Sequence, residues 1–236
     1  MLGLYIGIIL LLNIPYVQHR MSVLVAKELS TVLGSELTVG RINIGLLNRI
    51  IIDDLVLNDQ SGKELLKIGR LSAKFEILPL FSGKISIGNV QLFSFNANLE
   101  RPTPQASTNF QFVLDAFASK DTVKKKSNLD LRINSLLIRR GKVSYDVLSA
   151  ESTPGKFNPQ HIRLSNILAN ISLKALQNDS VNAAIKRMSV EEEHSGFELK
   201  KLSLKIIAND RKMRIENFAI DLPNTSLEMD PIRMEY

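Results

Sequence analysis

The chain has no cysteine and no tryptophan, and only 3 histidines in 236 residues. Without cysteine there is no disulfide framework, no thiol chemistry and no zinc–thiolate site. His19, His161 and His194 lie far apart and share no ligand spacing, so neither a metal centre nor any other cofactor is expected. Aromatic residues are 6% of the chain, which weakens any reading that needs stacked bases or an aromatic pocket. No nucleic-acid partner is expected. Ser61-Gly62-Lys63 and Ser82-Gly83-Lys84 lack the earlier glycine and the following Ser or Thr of a phosphate loop, and both read as hairpin turns. Asp53 and Asp54 alternate along a strand and point to opposite faces, so they and Asp59 form no ligand set. No nucleophile–base pair stands out. The chain reads as a non-enzyme.

Charge is also missing where the chain begins. Met1–Val17 reads MLGLYIGIILLLNIPYV, without a single ionisable acid or base of the Asp, Glu, Lys, Arg or His type. A bilayer-spanning helix needs about 20 apolar residues, with roughly 17 as the lower limit. Residues 1–17 are therefore expected to be a transmembrane anchor, carried by Leu4, Ile6, Ile8, Ile9, Leu10, Leu11 and Leu12. No basic n-region and no small-x-small cleavage site marks a signal peptide. Arg20 and Lys27 follow the segment and none of its residues is basic, so a basic leader is expected upstream of Met1. The net charge of +6 is mild and spread out, with Lys124-Lys125-Lys126 and Arg139-Arg140 its only dense spots. Such charge fits a solvated surface, or contact with anionic lipid head groups.

After the anchor, residues 18–34 are expected to form an amphipathic helix. Val17, Met21, Leu24, Val25, Val32 and Leu33 recur at three- and four-residue spacing. Gly34 stands where a helix C-terminus favours positive φ. Its apolar face either caps the first strand or lies on a membrane surface. Strand-like alternation then runs through Leu37–Ile44, Ile50–Asn58, Leu65–Ile77 and Ile85–Leu99, with Asn58–Gly62 as a turn. A short helix is expected over 108–118, from Phe110, Val113, Leu114 and Phe117. Residues 119–128 are polar and lysine-rich, the best linker in the chain. Strands resume from Leu129 and run to residue 236, where the chain reads as cut.

A weak repeat, apolar-x-apolar-x-x-apolar-x-apolar, starts at Leu37, Leu66, Ile85, Leu131, Ile162, Ala183 and Met213. The inserted pair in its middle keeps both apolar pairs on one face only if the strand bulges, and bulges add twist and curl. The fold class expected is mainly β: an N-terminal membrane helix and an amphipathic helix, then a curled antiparallel β-meander forming an elongated open groove. Few helices remain to cover its dry face. The clearest dry positions are Leu202, Leu204, Ile206 and Ala208, with Met213 and Ile215 on the next strand. They are the candidate lipid-groove face. A phospholipid tail drawn through water exposes about 15 methylenes at ~0.8 kcal/mol each, and a continuous apolar groove would remove most of that barrier. About a dozen strands at ~4.8 Å give ~60 Å of groove.

A family resemblance rests on an ordered series of motifs. The anchor runs into Ile14-Pro15-x-Val17-Gln18, and the helix ends at Leu33-Gly34. Val39-Gly40-Arg41-Ile42 and Asp54-Leu55-Val56-Leu57-Asn58-Asp59-Gln60-Ser61-Gly62 come next. Leu78-Pro79-Leu80-Phe81-Ser82-Gly83-Lys84-Ile85 and the Phe110–Phe117 helix complete the series. In this order they resemble the N-terminal region of the TamB-like proteins, inner-membrane subunits of the bacterial translocation and assembly module. These belong to the AsmA-like group, which is similar to chorein-type bridge lipid-transfer proteins. Residues 1–120 carry the resemblance, and the remainder shares its style.

The resemblance implies a single-pass inner-membrane protein with its body in the periplasm. Its expected partners are inner-membrane lipid and phospholipid cargo, together with an outer-membrane barrel met through a C-terminal part that has no counterpart here. It would serve phospholipid transport to the outer membrane, and secretion or insertion of outer-membrane proteins. A scaffold that pairs its strand edges with incoming outer-membrane strands, without carrying lipid, is the alternative.

Overall fold

The computed structural model describes residues 3, 7, 10–45, 48–75, 85–117, 129–130, 134–177 and 180–235. Helix α1 (Pro15–Leu33) leads into β1 (Leu37–Gly45), β2 (Arg49–Asn58), β3 (Glu64–Phe75) and β4 (Ile85–Arg101). Helix α2 (Gln111–Phe117) and the two-residue β5 (Leu129–Asp130) follow. Then come β6 (Ser135–Val147), β7 (His161–Gln177), β8 (Ser180–Glu192), β9 (Phe197–Asn209), β10 (Lys212–Leu222), β11 (Thr225–Met229) and β12 (Ile232–Glu235). The fold is mainly β, as expected. The 119–128 linker and the Leu78–Lys84 link lie outside the described residues.

Pro15 opens α1, where its missing N–H costs nothing. Gly34 closes it at φ 65°, its N–H donating to the Ser30 carbonyl at 2.9 Å. The helix does cap the first strand, but with a different stripe from the one its apolar spacing predicts. Gln18, Ser22 and Leu33 are its buried residues, and Ala26 and Leu29 pack with Leu33 against the core. The reason is the edge that α1 covers. β1 pairs only with β2, so its other edge presents unpaired backbone groups. Ser30 Oγ accepts from Leu37 N at 2.9 Å and donates to Leu37 O at 3.2 Å. Asn13 Nδ2 donates to Ile44 O at 2.8 Å, and Gln18 Nε2 to Asn43 Oδ1 at 2.6 Å. A purely apolar stripe would leave those groups dry and unmet.

The strands pair in the order β1-β2-β3-β4-β6-β7-β8-β9-β10-β11, with β12 also on β10 and β5 on β4. Two expectations need correction. The meander is not antiparallel throughout: β4 pairs with β6 in parallel. Parallel neighbours need a crossover of a dozen or more residues, and the segment holding α2 supplies it. Asn109 ties the start of that crossover down, donating to Asn98 O at 3.1 Å while its Oδ1 accepts from Glu100 N at 2.9 Å. The second correction concerns shape. The sheet is open and uncurled, its end strands β1 and β11 being unpaired with each other.

Bulges nonetheless occur at four of the seven inserted pairs of the repeat. The register shifts at Gly88-Asn89 on β4, Ser165-Asn166 on β7, Lys186-Arg187 on β8 and Glu216-Asn217 on β10. Asn166 and Asn217 have φ of 50° and 55°. In the copies at Leu37 and Leu66 no residue is gained, because the strands kink in step. Asp54 on β2, at φ 56°, stands between Gly40 on β1 and Gly69 on β3. A Cβ on Gly40 would lie 3.0 Å from Asp54 Cβ, so glycine permits the approach. Two of the extra residues are each balanced by one on the neighbouring strand. The one on β6 is offset on β7, and the one on β8 is offset on β9.

Among the described residues, a fully enclosed core forms at one corner only. Leu33 of α1 meets Leu37, Leu57 and Leu65, which is wholly buried, while Phe110, Phe112, Val113 and Ala116 close over them.

Candidate functional site

The pairing register assembles apolar side chains into rows that cross the sheet at right angles to the strands. One row runs Ile42, Ile52, Leu71, Leu92, Ile138, Ala169, Met188, Leu202, Ile220 and Leu227, each directly opposite the next. A second runs Ile44, Ile50, Ala73, Val90, Leu136, Ile171, Ile185 and Leu204. Leu173, Ala183, Ile206, Ile215 and Ile232 make a third, and Val181, Ala208, Met213 and Met234 a fourth. Directly paired residues share a face, and residues two apart on a strand share it too. All four rows therefore lie on one side.

The bulges are what hold the rows in phase. Ile185 and Met188 are three residues apart, and a regular strand would send them to opposite faces. The shift at Lys186-Arg187 returns them to the same one. On β10 the shift at Glu216-Asn217 does the same for Ile215 and Ile220.

All six residues of the predicted groove face fall in these rows: Leu202 in the first, Leu204 in the second, Ile206 and Ile215 in the third, Ala208 and Met213 in the fourth. Each is half-buried and none is enclosed. Among the described residues, no helix and no second sheet packs on β7–β10. The opposite side of the same strands is ionic. Lys205 Nζ meets Glu216 Oε2 at 2.8 Å, Arg214 Nε meets Glu216 Oε1 at 2.7 Å, and Lys201 pairs with Asp221 at 3.9 Å. Lys205 and its hydrogen bond hold the Glu216 carboxyl below its ordinary range.

Sequence reasoning named only the β9 and β10 part of this face. The other strands carried a usable signal: the second apolar pair of the repeat supplies Ile42 and Ile44, Leu71 and Ala73, and Val90 and Leu92. What could not be read was which residues stand opposite one another.

Of the predicted anchor, Leu10, Leu11 and Leu12 are helical, with Leu10 and Leu11 exposed. Leu4, Ile6, Ile8 and Ile9 lie outside the described residues. Among the described residues, no helix is long and apolar enough to cross a membrane.

Titratable groups cluster elsewhere, at the turns, and their contacts are structural. Asp59 accepts from Ser61 N at 2.8 Å, Ser61 Oγ at 2.6 Å and Lys63 N at 3.0 Å, which closes the β2–β3 turn. The separation of 15 positions between Asp146 and His161 hid a pairing that the register makes direct. His161 Nδ1 lies 2.9 Å from Asp146 Oδ1 and Nε2 lies 3.0 Å from Ala150 O, so both ring nitrogens face acceptors. That geometry favours the imidazolium and raises the His161 pKa, first through Asp146 and then through the Ala150 carbonyl. Arg163 Nη1 takes the other Asp146 oxygen at 2.7 Å. Glu192 is 3% exposed, and burial pushes its pKa up. Hydrogen bonds from the Ser195 hydroxyl and amide and from the Arg163 and His194 amides outweigh burial and hold it at about 2. Among the described residues, no three His, Asp or Glu side chains form a group able to hold a metal ion.

Compared with known proteins, the chain matches no family model and no curated sequence.

Proposed function

We propose that the four apolar rows form a track for phospholipid tails, in a TamB-like, inner-membrane-anchored protein of envelope biogenesis with its body in the periplasm. The observation carrying this reading is a one-sided apolar face that crosses ten strands and, among the described residues, has no covering layer over β7–β10. Ten strands at ~4.8 Å make the first row roughly 45 Å long. Over β8 and β9, where all four rows run, two residues per row at ~3.3 Å per residue make the face about 20 Å wide. Contiguous apolar surface on that scale marks an interaction site. Transfer of an acyl tail from water onto it recovers much of the ~0.8 kcal/mol per methylene. Movement along the rows crosses no ionic side chain, because the ion pairs of β9 and β10 sit on the other face. The same protein would support secretion and insertion of outer-membrane proteins, with an outer-membrane barrel as its distant partner.

The scaffold reading draws on a different observation, the strand β11, all five of whose residues are exposed. One experiment separates the two. A photo-crosslinking residue is placed in turn at Leu204, Ile206, Lys205 and Ser226 in cells making the protein. Phospholipid adducts at Leu204 and Ile206 but not at the neighbouring Lys205 support the track. Protein adducts at Ser226, with lipid absent from Leu204 and Ile206, replace the track with strand pairing.

A further inference from the structure

Helix α1 has two apolar-capable sides, and only one of them is used. Gln18, Ser22, Ala26, Leu29 and Leu33 face β1 and the core. This leaves Ile14, Leu24 and Val32, at 47%, 65% and 56% exposed, on the outer side with half-buried Val17 and Met21. These residues recur at the spacing of one helical face.

We propose that α1 lies in the plane of a bilayer interface, outer stripe toward the lipid, so that the β1 end of the apolar rows opens at the membrane surface. The proposal deepens the membrane-anchored reading and rests on it. Three features choose lipid over a protein partner. In sequence the stripe adjoins the uncharged Met1–Val17 run, whose Leu10 and Leu11 are also exposed, and that run is close to bilayer length. Tyr16, 66% exposed, accepts from Arg20 Nε at 3.1 Å, and the guanidinium lies 5.4 Å from the ring centroid. An aromatic ring paired with a cation suits the head-group layer. Lys27 lies on the same flank as Arg20, and both cations match anionic head groups. Because Asn13 and Gln18 bind the Ile44 carbonyl and Asn43, α1 also fixes where Ile42 and Ile44, the first residues of two rows, stand relative to the lipid.

The absence of cysteine makes the test direct. The single substitutions Val23→Cys, Leu24→Cys and Val32→Cys change exposed side chains only and take one nitrobenzoxadiazole label each. Val23 is equally apolar but points about 100° away from Leu24. The chain is mixed with vesicles of phosphatidylcholine and phosphatidylglycerol, and label emission is read. Blue-shifted, several-fold brighter emission at Leu24, a smaller change at Val32 (where exposed Glu28 interrupts the stripe) and little at Val23 supports the assignment. Equal responses at Val23 and Leu24 on vesicle-bound chain overturn it and leave the lipid track standing. A blue shift without vesicles that grows with protein concentration also overturns it, in favour of a second copy. Failure of the chain to associate with vesicles removes both this assignment and the anchored reading.

Discussion

The corner under the two helices and the sheet from β7 to β10 are built from the same strand repeat but behave as different materials. At the corner, Leu37, Leu57 and Leu65 are sealed by Leu33, Phe110 and Phe112, with Leu65 fully removed from water. On β9 and β10, Leu202, Leu204, Ile206 and Ile215 have neighbours along and across the strands and, among the described residues, none above. Stability should therefore concentrate where the helices are, leaving the apolar side chains of the far sheet free to meet a ligand. A fold that sealed both regions would be more stable.

The largest contrast is expected from core truncation. Leu65→Ala should cost about 2–5 kcal/mol, since it opens a cavity in the only enclosed cluster among the described residues. Chemical denaturation reads it directly, and a cost as small as that of Leu204→Ala would erase the distinction between the regions. Next comes the seam where the two halves of the sheet join. A Cβ on Gly141 would collide with the Phe95 ring that lies over it, so Gly141→Ala should destabilise by about 1–3 kcal/mol. Phe95→Leu made alongside it should restore part of the loss.

Two pH effects follow, each from a turn. Glu192 has its folded pKa depressed from 4.5 to about 2, so its contribution is present above 4.5 and is lost as pH falls toward 2. Glu192→Gln should flatten the acid limb of a stability–pH curve. For His161 the sign is opposite. Its folded pKa is raised above 6.5, so its contribution is full below 6.5 and disappears as pH rises through the higher folded value. His161→Gln should remove that alkaline loss, and a wild-type stability that stays level on the alkaline side would contradict it. The smallest stability effect belongs to the open face. Leu204→Arg should change stability by less than about 1 kcal/mol, because no layer among the described residues packs above it. The same substitution should abolish lipid adducts at Ile206, its same-face neighbour on β9.

Much of the β content, the turn at Asp59 and the helix stop at Gly34 were legible because each depends on residues close in sequence. The inserted pairs were legible as bulges for the same reason: Lys186-Arg187 and Glu216-Asn217 break a two-residue alternation that anyone can count. The burial of α1 was misjudged because the apolar count ignored what the helix covers. A strand edge wants donors and acceptors, so Ser30 and Gln18 turned inward and Leu24 outward. The parallel β4–β6 pair was missed because nothing in either strand records the direction of its neighbour. The Asp146–His161 pair was missed because it is a cross-strand contact.

Alternation, turn chemistry and backbone preference act over a few residues, and from them the chain alone dictated strands, kinks and an apolar side to every strand. Register, the crossing at α2 and the choice of which helix stripe faces inward depend on contacts between residues tens of positions apart. Only folding brought Ile42 and Leu227 to opposite ends of one apolar row, and only folding left the far part of that row without a cover among the described residues.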